Sequence, residues 1–362
     1  MGDMGMTTPS LSFWEGRRVL VTGHTGFKGS WLSCWLNQLK AEIYGYSLAP
    51  DADPNLYECL ALSYAGEKLG DLRDQDQISE YTKTVRPEFV FHLAAQPLVR
   101  RSYRDPIETF STNVMGTANL LQALRDIDSL KAILVVTSDK AYDNIADSGE
   151  YKTGRFSETD PLGGTDPYSA SKSAQEIVTR SFSESYFHEK EVPVATARAG
   201  NVIGGGDWSE DRLITDILRA AEEGTPVRLR HPTATRPWQH VLEPLAGYLL
   251  YVEALAAGKT RDTALNFGPS QSYKVVEVVE KILALCPKNS GWVLEKSKEP
   301  ESQTLELDPT RALSILGWKT RLTIDEAVSM VVKWHRNQRE YDGAATTTLK
   351  QIHTYQDILK RP

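Results

Sequence analysis

The sequence of 362 residues contains few cysteines and no pattern of metal ligands. Its three cysteines, Cys34, Cys59 and Cys286, are odd in number and widely spaced, which argues against a disulfide framework and favours a reducing compartment. The seven histidines lack metal-ligand spacing and no cysteine pair accompanies them. We therefore expect a cytoplasmic protein that holds no metal.

Long apolar runs and an excess of positive charge are also absent. No run approaches the roughly 20 apolar residues of a membrane span, and residues 1–10 have neither the basic nor the apolar region of a signal peptide. The net charge of -7 gives no electrostatic reason to expect nucleic acid or an anionic membrane as partner. An anionic substrate would need a local cluster of Arg and Lys.

What the chain does contain is an alternation of short apolar runs and amphipathic stretches. The patterns predict strands over residues 18–22, 43–46, 89–93, 132–137, 194–198 and 264–267. They predict helices from about residue 30 to 39 and over 113–124, 171–187, 213–223, 243–257, 275–285 and 324–336. This alternation indicates an α/β fold with a doubly wound parallel sheet of the Rossmann type, covered by helices on both faces.

The second half of the chain is less regular, and it predicts a smaller, mostly helical substrate-binding domain. We assign residues 14–200 and about 241–269 to the Rossmann domain. Residues from about 201 to 240 and from 270 to 350 form the smaller domain, and residues 1–13 are expected to be disordered.

A glycine-rich turn follows the first predicted strand, in the stretch Gly23-His24-Thr25-Gly26-Phe27-Lys28-Gly29. At this point of a βα unit the backbone can approach a pyrophosphate, and the N-terminal N–H groups of the helix can meet the anion. The spacing G-x-x-G-x-x-G differs from the G-x-G-x-x-G fingerprint, so an ordinary βα turn is the alternative. The flanking strand and helix favour a dinucleotide site.

The adenosine ribose of a bound dinucleotide is expected near the end of the second strand. The usual acid there is replaced by Ser47, with Asp51 a little later. No Arg or Lys lies between residues 41 and 57 to receive a 2′-phosphate, which favours NAD over NADP. Asp71 and Leu72 lie in a predicted loop that either holds the adenine edge or is a solvated turn.

Two polar clusters are candidates for catalysis. Tyr168 and Lys172 are four residues apart on a predicted helix, so they share one face, and a cation beside a tyrosine favours the phenolate. Ser138, Asp139 and Lys140 follow a predicted parallel strand, at the sheet edge where such folds bind ligands. Taken alone, each cluster could also be an ordinary helix pair or a polar turn.

Together these features resemble the extended short-chain dehydrogenase/reductases over roughly residues 18–318. Further matching stretches are His92-Leu93-Ala94-Ala95-Gln96, Asn113-Val114-Met115-Gly116-Thr117, Pro167-Tyr168-Ser169-Ala170-Ser171-Lys172, Arg198-Ala199-Gly200-Asn201-Val202 and Arg236-Pro237-Trp238-Gln239-His240-Val241. The resemblance implies that the cofactor contacts Gly23, Gly26, Phe27, Lys28, Gly29, Ser47, Asp71, Leu72, Leu93, Ala94, Ala95, Tyr168 and Lys172.

Within this family, the sugar-nucleotide 4,6-dehydratases carry hydroxyl, Asp and Glu where this chain has Ser138, Asp139 and Lys140. The lysine, with the stretches Gly-His-Thr-Gly-Phe-Lys-Gly and Gly-Asn-Val-Ile-Gly-Gly-Gly-Asp-Trp, resembles the branch that acts on CDP-glucose. The implied reaction is oxidation at C4, loss of water across C5–C6 and return of hydride to C6, with NAD regenerated. It implies a place in deoxysugar and O-antigen (lipopolysaccharide) biosynthesis.

The resemblance also implies a role for each residue. Tyr168 takes the proton of the 4-hydroxyl and Ser138 bonds the 4-oxygen; Asp139 protonates the departing 6-hydroxyl, which requires a raised pKa. Lys140 stands where the C5 base belongs and must be neutral to act, or it only positions substrate. The substrate-binding residues implied are Gln96, Arg100, Asn201, Arg212 and Arg236.

Two other functions stay open. A sugar-nucleotide epimerase or reductase of this family would keep Tyr168 and Lys172 but would not need Asp139 and Lys140. An idle dinucleotide-binding regulator often lacks the tyrosine or the lysine, and this chain has both. The family pairs subunits through the helices that follow Asn113 and Tyr168, so we expect a homodimer or homotetramer.

Overall fold

The computed structural model describes residues 8–145, 154–210, 212–295, 305–338 and 343–361. Seven strands form one parallel sheet in the order β12-β7-β5-β4-β1-β2-β3, which confirms the predicted Rossmann-type fold. The strands are β1 (Arg18–Thr22), β2 (Glu42–Ser47), β3 (Gly66–Leu69), β4 (Phe89–His92), β5 (Ala132–Val136), β6 (Arg155–Phe156), β7 (Val194–Ala199), β8 (Val202–Ile203), β9 (Val227–Leu229), β10 (Thr235–Arg236), β11 (Gln239–His240), β12 (Ala264–Phe267), β13 (Tyr273–Lys274), β14 (Trp292–Leu294) and β15 (Glu306–Leu307).

Helices cover both faces of the sheet. They are α1 (Leu11–Trp14), α2 (Phe27–Gln38), α3 (Leu56–Leu60), α4 (Gln75–Val85), α5 (Val99–Arg104), α6 (Pro106–Phe110), α7 (Gly116–Leu124), α8 (Pro167–Phe182), α9 (Leu213–Glu223), α10 (Leu242–Ala256), α11 (Val275–Leu285), α12 (Thr310–Leu316), α13 (Ile324–Asn337) and α14 (Gly343–Leu359). Single π-helical turns precede α7 (Ser111–Met115) and follow α8 (Ser183–Phe187). In the part of the chain that the structure describes, no helix has the length and apolarity that crossing a membrane requires.

The strand order predicts the edge of the sheet at which a ligand binds. The chain builds β1, β2 and β3 outward in one direction and then returns to add β4 on the other side of β1. In open parallel sheets, ligands bind beyond the carboxyl ends of the strands at such a reversal. The ends of β1 and β4 are therefore the expected ligand position.

Successive side chains of the central strands pack into two different cores. Val19 and Val21 of β1 pack on the face that α1, α2 and α10 cover, whereas Leu20 packs on the face with α4 and α7. Because both faces are buried, these strands are continuous apolar runs, which is why the sequence predicted them well.

A third core lies in the smaller, mostly helical region, where α9, α11 and α13 pack around Trp238. Its buried residues fall within residues 203–238 and 278–332, inside the segments that we assigned to the second domain. Ala312 and Trp318, however, pack in the core of the large sheet, although residues 270–350 were assigned to the smaller domain. The chain thus returns to the sheet once more than we predicted.

Both chain ends differ from the sequence-based expectation. Residues 8–13 belong to the stretch that we expected to be disordered, yet α1 packs at the sheet. Trp14 Nε1 and Ser10 N donate to Glu253 Oε1 at 2.6 and 2.8 Å, which fixes the segment, so this part of the expectation is wrong. Residues 1–7 lie outside the described residues. We assigned no helix at the other end, where a run of three threonines weakens the helical signal of α14.

The carboxylate of Glu243, at the start of α10, joins three parts of the fold. Its Oε1 accepts the backbone N–H groups of Arg321 and Leu322 at 2.9 and 2.7 Å, and its Oε2 accepts the Tyr355 hydroxyl at 2.5 Å. Burial raises the pKa of Glu243 from 4.5 to about 7. Because the folded protein binds this proton more tightly than the unfolded chain, the protonated carboxyl stabilises the fold fully below pH 4.5. This stabilisation is lost as the pH rises through about 7.

We predict that Glu243→Gln stabilises the protein at high pH and destabilises it at low pH. The pKa difference corresponds to about 3 kcal/mol of stability lost in the wild type by pH 8. The neutral amide avoids this loss, but it removes the acceptor of the Tyr355 hydroxyl, which costs about 1 kcal/mol. Thermal unfolding should show the variant a few degrees more stable at pH 8 and slightly less stable at pH 5. Glu15→Gln, at an exposed site, is the control, and a pH-independent difference for Glu243→Gln would refute the assignment.

Candidate active site

The glycine turn lies between β1 and α2, at the expected ligand position. Gly23 has φ +74°, and a Cβ there would lie 2.6 Å from the backbone N of Ala94; a Cβ on Gly29 would lie 2.0 Å from the Gly23 oxygen. Gly26 is the N-cap of α2, without a side-chain cap. Only glycine fits at Gly23 and Gly29, and a helix N-terminus free of side chains fits a pyrophosphate.

At the end of β2, Ser47 stands beside the glycine turn as predicted. Thr25 Oγ1 donates to the Leu48 oxygen at 2.9 Å, so Ser47 Oγ donates its own hydrogen to Thr25 Oγ1 at 2.8 Å. Asp51, which follows, lies 3.4 Å from Arg101 Nη1. The strand end therefore presents a neutral, buried hydroxyl in place of the usual carboxylate.

Asp71 lies in the neighbouring loop, and its carboxylate is paired with Arg73 at 2.6 Å. Hydrogen bonds from Arg73 lower the pKa of Asp71. The loop is held to β2 by Tyr46, whose hydroxyl donates to the backbone oxygen of Asp71 at 3.0 Å. Arg73 is thus a cation beside the Asp71 loop, and it lies outside the residues 41–57 in which we looked for one.

Other predicted cofactor residues lie after β4, in the core beneath α7 and at the start of α2. Leu93 and Ala94 follow β4 and donate their N–H groups to the oxygen and the Oγ1 of Thr22 at 3.1 and 3.4 Å. Leu72 is buried in the core beneath α7. Lys28 is in the first turn of α2, where burial and the charge of Arg212 lower its pKa to about 8.

The end of β5 carries the hydroxyl, acid and amine cluster. A 3₁₀ turn over Asp139–Ala141 follows Ser138, whose Oγ donates to Asp139 Oδ1 at 2.8 Å and accepts from Lys140 N at 3.2 Å. Asp139 Oδ2 is buried and has no hydrogen-bond partner among the described residues. Burial raises the pKa of Asp139, which is the direction that a general acid requires. Lys140 is half-buried.

Gly200 is required by the position of this acid. A Cβ on Gly200 would lie 2.2 Å from Asp139 Oδ2, so any other residue would displace the carboxylate. The stretch that follows β7 therefore forms one wall of the acid's surroundings.

Tyr168 and Lys172 lie one turn apart at the start of α8. Asp166 caps the helix by accepting Ser169 N at 2.9 Å, and Pro167 occupies its first turn, so Tyr168 and Lys172 lie on a helix, as their spacing predicted. Burial raises the pKa of Tyr168 to about 12, whereas the Ser138 hydroxyl and the Arg212 charge act to lower it. Tyr168 therefore stands beside the Ser138–Lys140 segment.

Lys172 is buried, and a chain of hydrogen bonds holds its amine. Lys172 Nζ donates to Gln175 Oε1 at 2.9 Å and lies 3.5 Å from the Val136 oxygen, and Gln175 Nε2 donates to Thr117 Oγ1 at 2.9 Å. Burial and the nearby Lys28 charge lower the pKa of Lys172 to about 7. The amine is thus held at the end of β5, and its lowered pKa favours the neutral form more than in an exposed lysine.

The same chain determines the protonation of His92. The Thr117 hydroxyl gives its hydrogen to the Asn113 oxygen at 2.7 Å, so His92 Nε2 must donate to Thr117 Oγ1 at 2.9 Å. Thr22 Oγ1 then donates to His92 Nδ1 at 2.7 Å. Burial lowers the pKa of His92 to about 3, which agrees with this neutral tautomer.

Two of the predicted arginines approach the site. Arg236 is buried, and its charge opposes the effect of burial on Asp139. Arg212 lies 3.6 Å from Asp207 Oδ2, and its charge acts on Tyr168 and Lys28. The structure therefore brings Arg236 close to Asp139, and Arg212 close to Tyr168 and Lys28.

The other predicted substrate residues are placed less directly. The amide of Gln96 is used within the fold, because its Oε1 accepts Leu98 N at 2.6 Å and its Nε2 donates to Thr109 Oγ1 at 2.9 Å. Arg100 lies on α5, and Asn201 lies between β7 and β8. These contacts make Gln96 a residue that shapes the loop.

Sequence reasoning missed several residues that hold the site. Ser102 Oγ accepts the N–H of Tyr168 at 3.1 Å, Gln175 holds Lys172, and Glu176 forms a buried ion pair with Arg198 at 2.8 Å. Arg198 was within a stretch that matched the family, which was the available signal. Among the described residues, no three His, Cys, Asp or Glu side chains come together as a metal site.

Comparisons with known proteins agree with this geometry. The family model described as GDP-mannose 4,6 dehydratase matches residues 20–331, so the chain belongs to this family. A curated CDP-glucose 4,6-dehydratase from Salmonella typhimurium (strain LT2) is 43% identical over 360 residues, which cover 97% of this chain and 99% of that protein.

Solved structures share the fold. MoeE5 in complex with UDP-glucuronic acid and NAD is 27% identical with a TM-score of 0.74, covering 88% of this chain and 99% of that chain. A UDP-glucose 4-epimerase from Thermotoga maritima, solved with UDP-glucose, is 22% identical with a TM-score of 0.78, covering 89% and 99%. The sheet and the smaller helical region are therefore a known architecture.

Proposed function

We propose that this protein is a hydro-lyase that dehydrates CDP-D-glucose to CDP-4-dehydro-6-deoxy-D-glucose with the help of NAD. The observation that carries the proposal is the buried Asp139, with a raised pKa and a free Oδ2, beside Lys140 and Tyr168. An epimerase has no need of such an acid. The 43% identity to a CDP-glucose 4,6-dehydratase over nearly the whole chain supports CDP-glucose as the substrate.

The first step removes hydrogen from the 4-position of the sugar. Tyr168 accepts the proton of the 4-hydroxyl, and Ser138 donates a hydrogen bond to the same oxygen. Arg212 and Ser138 already lower the pKa of Tyr168 against burial, and the positive charge of an oxidised nicotinamide acts in the same direction. When bound, NAD supplies the hydride acceptor for C4 and the hydride donor for C6.

The second step removes water across C5 and C6. The 4-keto group makes the C5 hydrogen acidic, and Lys140 takes this proton while Asp139 gives its own to the departing 6-hydroxyl. One proton is taken and one is given, so the net loss is one water, and the proton held by Lys140 is available to return to C5 when hydride reaches C6. Burial of Asp139 keeps the proton available.

The cofactor is placed by the residues of the glycine turn. Gly23, Gly26 and Gly29 leave room for the pyrophosphate at the start of α2. We assign further contacts to Phe27, Lys28, Ser47, Asp71, Leu72, Leu93, Ala94, Ala95 and Lys172. No Arg or Lys lies within residues 41–57 to receive a 2′-phosphate beside Ser47, which favours NAD.

The pyrophosphate of the substrate is assigned to Arg236 and Arg212, which can bond it through two N–H groups each. We assign Asn201 and Arg100 to binding of the same substrate. Gln96 is assigned to holding the loop that precedes α5, next to the substrate. We further propose that the core around Trp238 belongs to the sugar-nucleotide domain.

The deciding experiment is incubation with CDP-glucose and catalytic NAD. A 4-keto-6-deoxy sugar nucleotide should form without accumulation of reduced cofactor. Stoichiometric reduction of the cofactor, or a 4-epimer, would overturn the proposal.

We also infer that the protein is a cytoplasmic homo-oligomer. Its three cysteines are free, in keeping with a reducing compartment. Large apolar side chains are exposed on the adjacent elements α6, the π turn and α8: Ile107 is 75%, Met115 55% and Ile177 60% exposed. Such a patch is typical of a subunit interface.

We predict that Ile177→Glu dissociates this oligomer. A carboxylate placed in the apolar centre of the interface would lose its hydration, which costs several kcal/mol. Sedimentation velocity at micromolar concentration should show a dimer or tetramer for the wild type and a monomer for the variant. Leu313→Glu, at an exposed leucine on α12, is the matched control and should leave the mass unchanged. An unchanged mass for Ile177→Glu would place the interface elsewhere.

A further inference from the structure

A buried cluster grips both ends of the segment that carries the proposed catalytic groups. The cluster consists of Glu176, Arg198 and Tyr142, and we name it the Glu176 cluster. We propose that the Glu176 cluster positions Ser138, Asp139 and Lys140 relative to α8, so that its members are positioning residues for dehydration; this inference rests on the function proposed above. Four residues, 138–141, separate the two attachment points.

The first attachment point is Thr137, just before Ser138. The carboxylate of Glu176 accepts the Thr137 hydroxyl in a short hydrogen bond, and the Thr196 hydroxyl at 2.7 Å. Arg198 donates to the two oxygens of the same carboxylate, from Nε at 2.9 Å and from Nη2 at 2.8 Å. Four donors thus fix the orientation of one carboxylate.

The second attachment point is Tyr142, just after Ala141. Arg198 Nη1 donates to Tyr142 Oη at 2.7 Å, and Tyr142 Oη donates to Asn266 Oδ1 of β12 at 2.8 Å. The Tyr142 ring stacks on Phe156, with centroids 5.0 Å apart and planes at 14°. The hydroxyl of Tyr142 therefore has one donor and one acceptor, and its ring has a separate support.

The cluster also relates the two halves of the active site. Glu176 lies one turn after Lys172 on α8. The helix that carries Tyr168 and Lys172 therefore also carries the carboxylate that binds Thr137 and Arg198. Inside the segment, Lys140 N bonds Ser138 Oγ at 3.2 Å and Ala141 N bonds the Ser138 oxygen at 3.2 Å. Hydrogen bonds therefore hold residues 138–141 at both ends and in the interior, which restricts the conformation of this segment.

Stability alone is a weak reason for this cluster. Glu176 and Arg198 are each only 4% exposed, and removing two opposite charges from water costs about as much as their attraction returns. Apolar side chains of the same volume could stabilise β5, β7 and α8 as well. What apolar packing does not supply is direction, and misplacing a reacting group by about 1 Å can cost about 10²-fold in rate.

The test is Tyr142→Phe, which keeps the ring on Phe156 and removes both hydrogen bonds of Oη. We expect kcat for dehydration to fall about 10- to 100-fold, with KM and NAD affinity within about 3-fold. The matched control is Tyr248→Phe, because Tyr248 is also fully buried and its hydroxyl has no partner among the described residues. Unchanged kcat in Tyr142→Phe, or an equal loss in Tyr248→Phe, would overturn the proposal.

A second variant separates positioning from general damage. Thr137→Val releases the end next to Ser138, so it should slow the C4 step and raise the kinetic isotope effect of C4-deuterated substrate. Tyr142→Phe releases the end next to Lys140, so undehydrated 4-keto sugar should accumulate in quenched single turnovers. The same change in both variants would indicate a structural role only and would refute the inference.

Hydrogen exchange provides a readout that does not depend on the reaction. The amides of residues 140–142 should exchange faster in Tyr142→Phe than in Tyr248→Phe, while the amides of β5 stay protected. If they do not, the cluster does not hold the segment, even if the enzyme is active. If they do but the wild type dehydrates no sugar nucleotide, the proposed function fails and the positioning of the segment stands.

Discussion

Replacing Tyr168 with phenylalanine should lower kcat by about 10²- to 10⁴-fold, the range expected when a positioned acid–base group is lost. The ring remains in its buried place, so binding of NAD and CDP-glucose should stay within about 3-fold. The loss should fall on the first step, because the Tyr168 hydroxyl, which is hydrogen-bonded to Ser138, is the proposed proton acceptor of that step. Single-turnover kinetics with C4-deuterated CDP-glucose, followed at saturating NAD, would measure it.

The pH dependence distinguishes this base from its neighbours. Burial raises the pKa of Tyr168 to about 12 despite the opposing effects of Ser138 and Arg212, so the oxidised cofactor must lower the pKa further before Tyr168 accepts a proton near neutrality. We expect wild-type kcat to rise with pH as Tyr168 loses its proton, and the remaining activity of Tyr168→Phe to lack this rise. Tyr248→Phe is again the control. Activity within 10-fold of wild type would remove Tyr168 from the role of base.

The features that sequence could predict are those determined by near neighbours in the chain. The apolar runs of β1, β4 and β5 are continuous because both faces are buried, and the glycine turn directly follows β1. The pairing of Tyr168 and Lys172 needs only helical spacing. The order of the strands and the place of the site follow from these features through the general rules of parallel sheets.

Contacts between distant parts of the chain could not be predicted in this way. Glu176 meets Arg198 because α8 and β7 pack together, and Tyr142 meets Asn266 across 124 positions of sequence. The lowered pKa of Lys172 depends on burial and on Lys28, which belongs to α2. The contacts of Gln96 could not be predicted either, because its amide bonds Leu98 N and Thr109 Oγ1 within the fold.

The proposed roles of Asp139 and Lys140 are linked by the charge of the lysine. Burial raises the pKa of Asp139, and the Lys140 charge acts against this rise. The acid is therefore most easily kept protonated when the lysine has no charge, which is also the form of the lysine that can take the C5 proton.

Lys140→Met should therefore abolish removal of the C5 proton, with a loss of dehydration of about 10³-fold. Methionine keeps the length of the side chain and removes the amine. In D₂O, the wild type should place deuterium at C5 of the product, and NMR of product and recovered substrate should find none there for the variant. If Lys140 only positions the sugar, KM rises and C5 exchange at saturation continues, which would contradict its role as base.

Asp139→Asn completes this comparison because it removes the acid and keeps the amine. The amide cannot protonate the 6-hydroxyl, so water loss should fall about 10²- to 10⁴-fold, while Lys140 still exchanges the C5 hydrogen of the 4-keto sugar. Substrate recovered from this variant should carry deuterium at C5. The two variants thus lose opposite halves of one elimination, and a shared phenotype would mean that base and acid had been assigned to the wrong side chains.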